Sequence, residues 1–163
     1  MGICGSELLE CIIRPTLQRL GVYNPIAEQL LLGTAAVQSE LGFYLNSSRG
    51  IGVFGIDKNR HETLWDEYLA FDADLASEIR GFASQHEFLK APDAELACNI
   101  RYATAIAWMI YREAGIDLKR LHTDEDLAHC WYELFAEKSP EQSPEDFLTQ
   151  YAKLFADCNE QAA

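Results

Sequence analysis

The sequence predicts a mostly α fold with one small β-hairpin, in a single domain. Three observations carry that expectation. Apolar residues recur at helical spacing through most of the chain, in segments bounded by capping residues, prolines and glycines. One stretch, residues 46–56 (NSSRGIGVFGI), breaks that period with turn residues followed by a glycine-spaced apolar run. And 163 residues, 48% of them apolar, suffice for one core, with no repeat or composition break to mark a second domain.

The elements follow in order. Ser6 is placed to cap a first helix in which Leu8, Leu9, Ile12, Ile13, Leu17 and Leu20 recur at helical spacing. Pro15 must kink or divide it, and Gly21 ends it, so residues 1–24 form an N-terminal helical segment. Asn24-Pro25 opens a second helix, expected over residues 25–41, with the proline in the first turn where no donor is lost. The middle of that helix, LLLGTAAV, is apolar all round, which places protein on every side of it. Gly42 supplies its stop. Residues 46–49 read as a turn and residues 50–56, GIGVFGI, as the strand-like run after it. That run is formally G-x-G-x-x-G. The dinucleotide reading fails, because a turn precedes it and no helix opens on it; its glycines instead permit a tight hairpin or close approach to a ligand.

Asn59 and Glu62 form a capping-box-like start for a helix carrying Leu64, Trp65, Tyr68 and Leu69. A short helix over 74–82, a loop over 84–93 and a long amphipathic helix over 95–113 follow, the last stopped by Gly115. Residues 25–113 make the cleft-forming core. Thr123 with Asp126 caps a helix through Trp131 and Phe135. Ser143-Pro144 begins a last one with Phe147, Tyr151, Leu154 and Phe155, frayed after Asp157, so residues 123–157 supply the C-terminal helices.

The totals narrow the function. A net charge of -13, from 26 acidic and 13 basic residues, argues against nucleic acid or an anionic membrane as the main partner. No apolar run is long enough to span a bilayer, and no basic n-region with a cleavage site precedes the first helix. Met1-Gly2-Ile3-Cys4-Gly5-Ser6 fits the N-myristoylation pattern, with Cys4 as a second acylation point, but one acyl chain without a basic patch holds poorly. The five cysteines are odd in number, widely spaced and without C-x-x-C. Cys11, Cys98, Cys130 and Cys158 lie beside apolar residues in helical stretches, so they read as reduced core-filling thiols. His61, His86, His122 and His129 lack the convergent spacing of a zinc site, and neither metal nor cofactor is expected. Trp65, Trp108 and Trp131 read first as core, with stacking on sugar rings as the alternative.

The order of motifs carries a resemblance. An apolar helix ends in Ala36-Val37-Gln38-Ser39, with Leu41-Gly42 beyond; a hairpin Gly50-Ile51-Gly52-Val53-Phe54-Gly55-Ile56 follows; and Asn99-Ile100 opens a long helix with Tyr102 and Trp108. Across residues 14–111 this resembles the lysozyme-like fold of soluble lytic transglycosylases and goose-type lysozymes, and is particularly similar to the small versions carried by tailed bacteriophages. In that family the helix ends in Glu-Ser, the hairpin reads Gly-x-Phe/Met-Gln and a helix begins with Asn-Ile. Ser39, Gly52, Phe54, Asn99 and Ile100 match. Two signature positions do not: the family's general acid stands here as Gln38, and its cleft glutamine as Gly55. An amide has no titratable proton to give at neutral pH.

The resemblance therefore implies a substrate-facing set of Ser39, Gly52, Phe54, Gly55, Asn99 and Tyr102 around an altered acid position, Gln38. Glu40, Asp57 and Glu62 are the candidate carboxylates to replace the acid; a two-carboxyl glycosidase needs the pair roughly 5–9.5 Å apart. Glu40 lies two residues past Gln38, about 200° round an ideal helix, so only an unwound helix end would bring it to the cleft. The expectation is a virion-associated protein of a bacteriophage, made in the host cytoplasm and catalytically impaired. Its partners would be peptidoglycan glycan strands and other virion proteins, and it would form a homo-oligomer. An active peptidoglycan lyase or hydrolase using a non-standard carboxylate is the alternative.

Overall fold

The computed structural model describes residues 2–161, and side chains as far as residue 156. It is mostly helical with one two-stranded antiparallel sheet. The first helix, α1 (Gly5–Leu8), runs through a widened π turn (Leu9–Ile13) into α2 (Arg14–Arg19). Pro15 explains the widening. Its ring clashes with the carbonyl four residues back and it has no N–H to donate, so the ladder slips and Arg14 N–H reaches the Leu9 carbonyl. Cys4, not Ser6, holds the cap position, without a side-chain cap bond.

The central element is α3 (Pro25–Ser39), with the Asn24 side chain accepting from Ile26 N–H at 2.8 Å. From Ala27 to Ser39 every residue except Gln29 is buried. The helix ends two residues before the expected stop. Glu40, Leu41 and Gly42 all lie in the left-handed region, at φ 51°, 56° and 83°. Glu40 and Leu41 N–H close back on the Ala36 and Ala35 carbonyls, so the last turn keeps its hydrogen bonds. Each non-glycine residue held there costs about 1–2 kcal/mol. Ser39 Oγ offsets part of that cost, donating to the Val53 carbonyl at 2.5 Å and accepting from Gly42 N–H at 2.7 Å. The chain's start braces the same turn. Ile3 N–H donates to the Leu41 carbonyl at 2.7 Å, and Gly2 lies so close to the Glu40 and Leu41 carbonyls that no Cβ would fit.

The hairpin is shorter than the apolar run and starts earlier. β1 (Asn46–Ser47) pairs with β2 (Gly50–Ile51), Asn46 opposite Ile51 and Ser47 opposite Gly50, with Ser48-Arg49 as the turn. After Ile51 the chain coils through Gly52 and returns by a single bridge to Ile56. Gly52, at φ 79°, presses its backbone on the Leu96 carbonyl where any side chain would overlap it. A second strand over 50–56 is thereby excluded.

Next come α4 (Lys58–Glu67), α5 (Ala73–Arg80), α6 (Glu87–Lys90, inside the expected loop) and α7 (Glu95–Cys98). Asp57 caps α4 by accepting from Arg60 N–H at 3.2 Å, in place of the expected Asn59/Glu62 box. The expected single helix over 95–113 is broken at Asn99, whose extended backbone lets Oδ1 accept from Tyr102 N–H at 3.1 Å and cap α8 (Ile100–Glu113). α9 (Asp124–Cys130) carries the Thr123–Asp126 capping box and continues as a second π turn, Trp131–Phe135. α10 (Pro144–Gln161) continues past the expected fraying point. The core is built on α3 and α8. Thr34 and Tyr111 hydroxyls meet at 2.7 Å between them, and the Phe147 ring of α10 occupies the space a side chain on Gly33 would need. Cys130 is buried, but Cys4, Cys11 and Cys98 are exposed, contrary to the core-filling reading of Cys11 and Cys98. The Cys158 side chain lies outside the described residues. Among the described residues no helix is long and apolar enough to cross a membrane.

Candidate functional site

The C-terminal end of α3 opens into a polar cleft of about 360 Å³. Gln38, only 6% exposed, forms its base with Gly55 of the post-hairpin coil beside it. A Cβ on Gly55 would stand 3.1 Å from Gln38 Cβ, so the glycine keeps this wall open. Gln142, on the loop before α10, donates from Nε2 to Gln38 Oε1 at 3.1 Å. A smaller recess of about 210 Å³ adjoins the cleft and shares Gln38, Ser48 and Arg49 with it. Tyr44 lines that recess within an exposed run, Phe43-Tyr44-Leu45, whose two rings meet edge to face at 4.8 Å. Gln38 thus sits in the middle of a groove with an aromatic lip at one end.

Two arginines hold the groove in shape. Arg49 donates to the Val37 carbonyl and so ties the hairpin turn to α3. Arg60 of α4 donates to the Leu134 carbonyl at 2.6 Å and to the Phe135 carbonyl, and pairs with Glu137 at 3.3 Å. Burial lowers the Arg60 pKa, opposed by the charge of Glu137; the guanidinium stays charged at neutral pH. It fixes the loop that carries Glu137, Glu141 and Gln142 over the cleft, a loop in which Glu137 and Lys138 also hold positive φ.

The expected site residues divide between places. Gln38, Ser39 and Glu40 line the recess, and Gly55 lines the larger cleft. Glu40 reaches the recess because α3 ends at Ser39, the unwound helix end that its approach required. Ser39 spends its hydroxyl on the turn. The others do not line the groove. Gly52 is packed under Leu96, and Phe54 is fully buried in the core. Asn99 caps α8 and donates from Nδ2 to Glu95 at 2.8 Å and to the Phe82 carbonyl at 2.7 Å. Tyr102 is buried, bonded to His61 and Trp65. Glu62 lines a separate groove across α4.

Among carboxylates, Asp57, Glu137 and Glu141 line the larger cleft. Asp57 is engaged in its cap and Glu137 in its arginine pair, while Glu141 is exposed. None of them hydrogen bonds to Gln38. Sequence reading missed Arg49, Arg60, Glu137, Glu141 and Gln142. They come from three separate elements, brought together by long-range bonds such as that of Arg60 to a backbone carbonyl 74 residues on. Among the described residues no cluster of three metal-ligating side chains occurs. The arrangement offers amide and guanidinium donors and solvated carboxylate acceptors to a polar, elongated ligand. It offers no protonated acid at the groove's midpoint.

Comparison of the chain with protein-family models, with curated proteins and with solved structures returns no match in any of the three.

Proposed function

We propose that this protein is a lysozyme-like component of a bacteriophage particle whose groove binds peptidoglycan glycan strands without cleaving them efficiently. One observation carries the reading: an amide, Gln38, occupies the buried helix end in the middle of an open polar groove. The resemblance puts the general acid there. Exchange of acid for amide removes the proton donor while leaving the groove's other contacts in place, so binding outlasts turnover. The aromatic lip at Tyr44 and the polar lining suit a saccharide chain. The test pairs two measurements. Purified protein should be retained on insoluble peptidoglycan and release no soluble fragments; recovery of the protein at fixed stoichiometry from purified particles would support the virion assignment. No retention would remove the binding role, and absence from particles would remove the virion.

Asp57, Glu137 and Glu141 in the cleft, with Glu40 in the recess, favour a second reading, an active glycosidase with a displaced acid. Fragment release by wild-type protein that is lost in one carboxylate-to-amide variant would select it.

A further inference from the structure

We propose that the groove on the other side of α4 is a second saccharide site, selective for a sugar that carries a carboxylate. It holds about 650 Å³ and shares no lining residue with the Gln38 cleft. The division follows from the helix. Asp57 and Arg60 face the cleft, whereas Lys58, Glu62 and Trp65 fall on the side turned toward α6. A cavity of this size takes a mono- or disaccharide.

Its floor is a fixed aromatic platform. Trp65 is half-buried, and its indole N–H donates to Tyr102 Oη at 2.9 Å. Tyr102 Oη lies 2.7 Å from His61 Nε2, and His61 Nδ1 lies 2.7 Å from Asp93 Oδ1. With the tyrosine proton directed at Nε2 and the Nδ1 proton at Asp93, both nitrogens of the buried imidazole are used within the protein. The chain is therefore a support and not a nucleophilic triad. Tyr102 is fully buried, and desolvation drives its pKa upward, away from the phenolate. What the chain does is lock the indole plane. Phe88 continues the floor, its ring centroid 5.7 Å from that of Trp65.

The rim supplies the selectivity. Arg80 places its guanidinium carbon 4.4 Å from the Phe88 ring centroid, a contact that uses none of its N–H donors. Lys90 stands on the same rim. Among the described residues neither cation has an ion-pair partner or a side-chain hydrogen bond, whereas Lys58 pairs with Glu62 and Asp93. Two cations without partners among the described residues, lining one groove in a chain of net charge -13, mark a place for a carboxylate. Asp66, also lining the groove, is an acceptor for sugar hydroxyls. A sugar ring laid C–H face down on Trp65 meets both. The sugar identity rests on the glycan reading above; the groove's preference for a carboxylate does not.

Titration of the full chain with N-acetylmuramic acid and with N-acetylglucosamine, which lacks the carboxylate, tests this by tryptophan emission. Trp108 and Trp131 are 3% and 0% exposed and out of a ligand's reach, so a ligand-dependent change in emission reports Trp65. N-acetylmuramic acid should bind tighter by about tenfold, the scale of one charge-assisted hydrogen bond. Arg80→Gln should remove most of that preference in a protein that still melts cooperatively, and Gln142→Ala, in the other cleft, should leave it intact. Equal binding of the two sugars, no response to either, or a preference that survives Arg80→Gln would overturn the proposal. Loss of the preference in Gln142→Ala would show that the response depends on the Gln38 cleft, overturning an independent site at Trp65 while sustaining the glycan reading. Conversely, an intact preference in a protein that peptidoglycan does not retain would overturn only the glycan reading.

Discussion

The most informative perturbation is Gln38→Glu. The two side chains are isosteric, Gly55 leaves the adjacent wall open, and the Gln142 amide that now donates to Gln38 Oε1 at 3.1 Å can donate equally to a carboxylate. The fold should tolerate the exchange. Two opposing effects set the new acid's pKa. Its position, 6% exposed in the parent, disfavours the charged form and raises it; the Gln142 donor favours the charged form and lowers it. With burial the stronger effect, part of the carboxyl stays protonated at neutral pH, so part of a ~10²–10⁴-fold acid contribution appears at pH 7, and more as pH falls toward 5. Loss of turbidity of purified peptidoglycan, with fragments identified by mass spectrometry, measures it. Adding Gln142→Ala removes the stabilising donor and should move the alkaline limb of the rate profile to higher pH. A folded Gln38→Glu protein with unchanged Tm, bound to peptidoglycan yet releasing nothing above the parent's background at any pH from 4 to 8, would refute the descent of this groove from a sugar-cutting site.

Other expectations concern the scaffold. Gly33→Ala should destabilise the protein by about 1–3 kcal/mol, because the new methyl must displace the Phe147 ring between α3 and α10; thermal melting measures it, and an unchanged Tm would deny that contact. Native alkylation should modify Cys4, Cys11 and Cys98 well before Cys130, whose thiol burial pushes up to about 12, and unfolding should abolish the difference. Acid sensitivity should depend on Glu95, 1% exposed. Burial raises its pKa, but hydrogen bonds from Ser84 Oγ, Asn99 Nδ2 and Ser84 N–H outweigh burial and hold it below the usual range. The stability it contributes is then complete above its unfolded value of about 4.3 and lost as pH falls through the lower folded value. Glu95→Gln should flatten that limb of a stability–pH curve, and an identical curve would show that the carboxylate contributes none of it.

Helix existence was legible wherever a local signal fixed it. Asn24-Pro25 and the Thr123–Asp126 box act within one turn, and both stand where the sequence puts them. Boundaries failed where a distant partner decided. Gly50–Ile56 looks like a strand until Leu96 arrives beneath Gly52, and residues 95–113 look like one helix until Asn99 turns toward Phe82 and Glu95. Cys11 misled for a local reason: the π turn imposed by Pro15 changes the helical phase, and a position expected to face inward faces solvent. In the candidate site, Gln38, Ser39 and Gly55 come from one continuous stretch and could be read together. The Arg60 bridge to residues 134–137 could not, since one arginine among thirteen basic residues carries no mark of its partner.

The state of the groove itself bears on the choice between a structural block and a binding surface. A protein that used this fold only as a building unit would gain from closing the space around Gln38, because each filled cavity adds dispersion contacts and removes nothing needed. Instead the space is propped open at some cost. Glu40 and Leu41 are held in left-handed backbone at one side, Glu137 and Lys138 at the other, and Arg49 and Arg60 spend their donors on carbonyls of the walls. Strain of this kind persists where surrounding structure over-determines it, and it collects at sites that engage ligands. The Gln38–Gln142 bond satisfies the two amides against each other without filling the volume. A groove kept open, polar and strained, with an amide at the buried helix end in its middle, is better suited to holding a ligand than to serving as inert packing.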